Sequence, residues 1–219
     1  MKCRTLLVLL LLICVSLTAR TVLITGFGPF GKHERNSSYE AVKHLHGRSL
    51  FGFDIAVLEI PVLWEFSRSM IFHALEQHQP EFVISLGLDE NAPASLVLEP
   101  FGINRTAYLK DVSGAYPPGR EAVPGAPDML PSALQVQHLK SILVSFGLDA
   151  VTGYDAGDYL CGWVYMHLLS GHPSRQVLFT HVHPDAPEHD IAAAVKLLVH
   201  ALASGTPCPA PPAGEYMLP

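Results

Sequence analysis

The sequence predicts an α/β protein with a mostly parallel central sheet and helices on both faces. Two observations carry that reading. Short apolar runs alternate along the chain with longer stretches of helical spacing, the pattern of strands joined by crossover helices. Of 219 residues, 49% are hydrophobic and 16% charged, enough apolar material for one sizeable core and too short a chain for two.

The predicted strands are TVLIT (21–25), DIAVLEI (54–60), FVISLG (82–87), DAVTG (149–153) and QVLFTH (176–181), with a further apolar run, ASLVL, leading into Glu99. The first predicted helix opens at Ser37. Glu40 stands three residues on in a capping-box pattern, and Tyr39, Val42 and Leu45 share one face until Gly47 ends it. Helices are also predicted over 64–78, 130–146, 158–169 and 187–203. Between Leu98 and Leu130 the sequence has little periodicity, and loops of that length in a compact domain are usually functional.

The first 19 residues carry Lys2 and Arg4, an apolar run from Leu6 to Leu17 broken only by Ser16, and then small residues, the layout of a signal peptide. That run is shorter than the roughly 20 residues of a membrane span. Its removal takes away Lys2 and Arg4 and moves the formal net charge from -6 to -8. The expected organisation is a leader over 1–19, one domain over 20–204 and a proline-rich, disordered tail over 205–219. A functional leader implies the secretory pathway or secretion, with no stable membrane association once it is cleaved. Without one, the chain is cytoplasmic. Of four cysteines only Cys161 and Cys208 lie beyond the leader, too few for a disulfide framework. No block of basic residues supplies the electrostatic footprint that nucleic acid binding needs.

In open sheets of this kind ligands sit beyond the carboxyl ends of the strands. Cys161 follows the strand DAVTG by a short loop and falls near a helix start, where free amides and the helix dipole favour a thiolate. His181 ends the strand QVLFTH, a place for a base that serves a nucleophile on a neighbouring loop. Glu99 ends another and is placed to orient an imidazole. Each alone has a plainer reading: a buried filler, a structural histidine, a solvated charge. The loop GFGPFG (26–31) follows the first strand and resembles a glycine-rich phosphate loop, but Pro29 removes an amide donor and the phenylalanines crowd the turn, which disfavours dinucleotide binding. Its rings Phe27 and Phe30 suit a small, flat, apolar-faced ligand. Two glycosylation sequons, NSS at Asn36 and NRT at Asn104, lie in the same neighbourhoods.

The segments TGFGPFGKHERNSSYEAVKHL (25–45), LVLEPFGIN (96–104), DAGDYLCGWVYMHLL (155–169) and FTHVHPDAP (179–187) resemble, in order and spacing, the cysteine-type pyroglutamyl-peptidase I family. The resemblance runs from about Thr21 to Ala203. It implies a three-layer α/β/α sandwich that removes an amino-terminal pyroglutamyl residue from peptides without metal or cofactor. It places Cys161 on the nucleophile, His181 on the base, Glu99 on the orienting carboxylate, and Phe27 and Phe30 on the aromatics that sandwich the pyrrolidone ring. Three features depart from the family pattern: His183 stands before Pro184 where proline is common, GLDENAPA (87–94) replaces a more glycine-rich loop, and a leader is unusual. A relative that binds pyroglutamyl peptides without turning them over is the alternative. A nucleoside phosphorylase is disfavoured, since the glycine loop after the first strand is interrupted by Pro29 and does not supply a phosphate cradle.

Overall fold

The computed structural model describes residues 20–205. The expected leader, and the expected tail from residue 206 on, lie outside the described residues. Among the described residues nine strands and five α-helices follow in chain order: β1 (Thr21–Phe27), α1 (Ser37–Glu40), β2 (Ser49–Leu50), β3 (Phe53–Ile60), α2 (Trp64–His78), β4 (Phe82–Leu88), β5 (Leu96–Glu99), β6 (Phe101–Ile103), β7 (Met129–Pro131), α3 (Val136–Ser145), β8 (Ala150–Thr152), α4 (Leu160–Gly171), β9 (Val177–Val182) and α5 (Glu188–Ala203). Seven strands form one sheet in the order β2-β3-β1-β4-β9-β5-β8, and β6 and β7 form a separate antiparallel pair. Neighbours run parallel from β3 through β1 and β4 to β9, and again between β5 and β8. Edge strand β2 is antiparallel to β3, and β5 is antiparallel to β9.

Side-chain alternation divides the sheet into two cores. Val22 and Ile24 of β1, Ile84 and Leu86 of β4 and Leu178 of β9 pack with Val42, Leu139, Leu143, Ile191 and Leu198 on the face covered by α1, α3 and α5. Leu23, Val83, Val177 and Phe179 pack with Ile71, Trp163, Val164 and Leu168 on the face covered by α2 and α4. The fold is thus an α/β/α sandwich with a mostly parallel sheet, and period two along each strand assigns every residue to a layer. By that period Gly87, Val97, Glu99 and His181 all face the α4 side.

Three local expectations are corrected. The helix predicted from Ser37 to Gly47 is a single turn followed by a 3-10 turn over Lys43–Leu45. Asn36, not Ser37, caps it: its side-chain oxygen accepts from the Ser38 amide at 3.1 Å, while the Glu40 carboxylate turns outward to Arg35 and Lys43. No capping box forms. The helix predicted from Leu130 starts at Val136, because Leu130 pairs with Gly102 of β6 and the Ser132 hydroxyl donates to Val177 O at 2.6 Å. That pairing puts a strand inside the aperiodic stretch. The helix predicted from Asp158 starts at Leu160, since Gly157 takes a positive φ of 79° and turns the chain ahead of it.

Candidate active site

Strand order reverses between β1 and β4: from β1 the chain proceeds to β3 on one side and then to β4 on the other. The carboxyl ends of these two strands open a crevice at the switch point. Phe27 ends β1 and Leu88 ends β4, and both line a small cavity of about 60 Å³ with Phe30, Asn36, Val62, Tyr159, Leu160 and Cys161. The structure therefore brings Phe27 and Phe30 to the same cavity as Cys161.

The ring-bearing loop is fixed at several points. Gly28 N–H donates to Ile60 O at 2.9 Å, Phe27 N–H donates to Ser38 Oγ at 3.0 Å, and the Asn36 amide donates to Gly28 O at 3.0 Å. Asn36 is buried, as is Asn104, whose amide nitrogen donates to Val123 O at 2.9 Å and Ala126 O at 3.1 Å.

Cys161 is the second residue of α4. The first bond of that helix runs from Trp163 N–H to Tyr159 O, so the amides of Leu160, Cys161 and Gly162 precede the ladder and stand at the positive end of the helix dipole. The preceding loop folds back so tightly that a Cβ on Gly162 would overlap Gly157 O. On the sheet side the sulfur lies over Gly87, where an added Cβ would come within 2.9 Å of Sγ and 2.8 Å of the Phe179 ring.

His181 Nδ1 lies 3.1 Å from Glu99 Oε1, and both residues are buried. With Nδ1 committed to the carboxylate, the hydrogen bond to Cys161 falls to the other ring nitrogen. Burial works against a charged His181, but the bonds to Cys161 and Glu99 outweigh it and push its pKa up to about 10. Glu99 is held in turn: its Oε2 accepts from Asp155 N–H at 3.1 Å, and its backbone carbonyl accepts from the Tyr165 hydroxyl at 2.9 Å. A Cβ on Gly153 would overlap both carboxylate oxygens. The order Glu99, His181, Cys161 thus forms a continuous chain of contacts.

Sequence reasoning missed Val62, Leu88 and Tyr159 as cavity walls, and Gly87 and Gly153 as the space that Cys161 and Glu99 occupy. The two glycines did carry a signal, since each sits at the carboxyl end of an apolar strand run. Among the described residues no group of three or more His, Cys, Asp or Glu is placed to hold a metal ion.

Residues 20–196 match the family described as pyroglutamyl peptidase. The chain belongs to that family. Among pyroglutamyl peptidase relatives, pyroglutamyl-peptidase 1 of Homo sapiens is 33% identical over 168 residues, covering 75% of this chain and 79% of the relative. Pyrrolidone-carboxylate peptidase 2 of Photorhabdus laumondii is 33% identical over 153 residues, covering 69% of this chain and 70% of its own. The crystal structure of pyroglutamyl peptidase I from Bacillus amyloliquefaciens superposes with a TM-score of 0.77 at 26% identity, across 84% of this chain and 97% of that one.

Proposed function

We propose that the chain is a cysteine peptidase that removes an amino-terminal pyroglutamyl residue from peptides, with Cys161 as nucleophile, His181 as base and acid, and Glu99 as the carboxylate that orients His181. One observation carries the reading: the sulfur that meets His181 also lines an apolar cavity walled by Phe27 and Phe30. A pyrrolidone ring is flat and uncharged, so it gains from leaving water for such a slot, whereas a protonated amino terminus would be left there without a counter-ion.

The chemistry follows from the contacts. His181 already carries the proton of the pair, and the Cys161 sulfur attacks the pyroglutamyl carbonyl carbon as the thiolate. The oxygen becomes an alkoxide that the amides at the start of α4 can stabilise. Collapse breaks the carbon–nitrogen bond, His181 returns its proton to the leaving amine, and a thioester remains. Water, deprotonated by His181, adds to the thioester carbonyl. Pyroglutamic acid departs, and Cys161 with its protonated His181 partner is restored. Glu99 fixes the imidazole in place and stabilises its charged form at each transfer.

Turnover of a fluorogenic pyroglutamyl amide by wild type and by Cys161→Ala tests the reading. Wild type should hydrolyse it, the variant should lose at least about 10³-fold in kcat, and a pyroglutamate analogue should slow thiol alkylation. Binding without turnover in wild type would identify a non-catalytic relative instead.

A further inference from the structure

The cavity at Cys161 takes one small ring, so the peptide beyond the pyroglutamyl residue has to leave across its rim. One side of that rim is a strap, residues 105–116. Ala107 N–H donates to Asp158 O at 2.6 Å, Trp64 Nε1–H donates to Leu109 O at 3.2 Å, the Tyr159 hydroxyl donates to Lys110 O at 3.0 Å, and Val112 N–H donates to Val62 O at 3.2 Å. Two of these anchors, Val62 and Tyr159, are cavity walls. Within the strap the buried Asp111 carboxylate accepts from the amides of Trp64, Ser113 and Ala115 and from the Ser113 hydroxyl, at 2.6 to 3.1 Å. The strap is therefore fastened to the cavity wall and braced from inside.

What it presents outward is apolar. The rings of Tyr108 and Tyr116 stack with centroids 4.3 Å apart and planes 10° from parallel, at 67% and 46% exposure. Leu109 and Val112 beside them are more than half exposed. Of the two cations in the strap, Arg105 is paired with Asp155, and Lys110 sits with its Nζ 5.4 Å from the centre of the Tyr116 ring. A rigid exposed aromatic pair gives a ligand a large contact area with little side-chain entropy left to lose, and contiguous exposed apolar surface marks an interaction site.

We propose that the Tyr108–Tyr116 stack, with Leu109 and Val112, is the platform for the leaving portion of the peptide and that it favours an aromatic or apolar side chain there. The inference rests on the pyroglutamyl-peptide reading. Continuity with the cavity selects the occupant: the strap is hydrogen-bonded to Val62 and Tyr159, two of the walls around Cys161, from Val112 and Lys110, which lie between the two stacked tyrosines in the chain. Lys110 disfavours a basic side chain at the same place.

The test is kinetic. Tetrapeptides that begin with pyroglutamate and carry glycine elsewhere are compared with the same peptides bearing one phenylalanine at the second, third or fourth position. Wild type should prefer phenylalanine in one register by about three- to tenfold in kcat/KM. In Tyr108→Ala and in Tyr116→Ala, with the fold checked by thermal melting, that preference should collapse through KM, while turnover of the all-glycine peptide stays within about twofold. A preference that survives both substitutions, or no preference in wild type, overturns the platform. Loss of a dimer in sedimentation with the preference intact would mark the patch as a surface for a second copy and also overturn it. If wild type hydrolyses none of the peptides, the functional reading fails separately. The comparison is then made by calorimetric binding, where a phenylalanine preference abolished by the tyrosine variants sustains the platform and no binding overturns it.

Discussion

The imidazole of His181 and the carboxylate of Glu99 meet along a diagonal of an antiparallel strand pair, Nδ1 to Oε1 at 3.1 Å. In the register of β5 and β9, Val97 lies opposite His181 and Glu99 opposite Phe179. Residues two apart on a strand share a face, so Glu99 is the diagonal neighbour of His181 on the side where Cys161 waits. A slip of one residue would turn Glu99 into the other core. The reversal of direction between β9 and β5, which β8 shares with β5, is what builds the pair.

Glu99→Gln keeps the shape of the side chain and removes its charge. Turnover should fall by about 10² to 10⁴ in kcat with little change in KM, the pattern of an interaction made in the transition state. The His181 pKa should drop from about 10, read by NMR titration of the imidazole. A folded pKa above the ordinary 6.5 stabilises the protein fully below pH 6.5 and loses that contribution as pH rises through 10. The variant should therefore lose less stability than wild type across that window. A pure rise in KM would mean that Glu99 contacts substrate instead.

Gly153→Ala and Gly87→Ala test the space around the reacting groups. The first should push the Glu99 carboxylate off His181, and the second should displace Sγ, whose distance from the new Cβ would otherwise be 2.9 Å. Overpacking of this kind costs about 1–3 kcal/mol, so both variants should fold with a lowered Tm while kcat falls at least about tenfold. Gly125→Ala is the control. Its φ of 76° makes alanine strained, yet nothing lies within 4 Å of the added carbon, so Tm should fall and kcat should not. Equal activity in all three variants would refute the packing account.

His167 is buried against the rings of Phe72 and Trp163, its two nitrogens without a hydrogen-bond partner among the described residues. Burial, with a smaller contribution from Arg68, pushes its pKa down to about 4. The unfolded chain takes up a proton near pH 6.5 that the folded chain refuses until about 4. Stability should therefore fall as pH drops through that window, by on the order of 3 kcal/mol, and be flat above it as far as this group is concerned. Urea midpoints at pH 7 and pH 4.5 measure the slope. His167→Phe should flatten it, and an unchanged slope would assign the acid sensitivity elsewhere.

His33 Nε2 lies 2.6 Å from Glu90 Oε1, and Lys32 Nζ lies 3.1 Å from Oε2. His33 and then Lys32 hold the Glu90 carboxyl below the usual carboxylate range. His33 also exchanges two backbone bonds with Phe30, and their ring centres are 5.3 Å apart. The clasp ties the Phe30 loop to the segment after β4. Because its charges are exposed, Glu90→Gln should raise KM by only about two- to fivefold and leave kcat unchanged. A fall in kcat at constant KM would count against this role.

Long periodic segments were readable. α2 lies where helical spacing puts it, and β1, β3, β4, β9 and α5 shift by a residue or two. Three-residue strands such as β6 and β7 are too short to show a period, so the stretch after Leu98 looked structureless. Ser37 with Glu40 resembled a capping box because the sequence does not reveal that Asn36 bonds Ser38 first. The direction of β5 was not legible, since alternation is the same whichever way a strand runs. Cys161, His181 and Glu99 could be singled out because each sits near the end of a readable element. Val62, Leu88 and Tyr159 were not, because the cavity exists only once β1, β4 and α4 are side by side.

The nitrogens of Asn36 and Asn104 are the atoms to which a glycan would be joined. Asn104 donates two bonds from that atom, and Asn36 lies buried between its loop and the cavity. Sugar and native packing therefore compete for one atom. A saccharide on either residue would act as a timestamp: it records that the chain met the transferase before closing, and it stops the chain from closing afterwards. Active molecules recovered from a glycosylating compartment should be the ones that folded first.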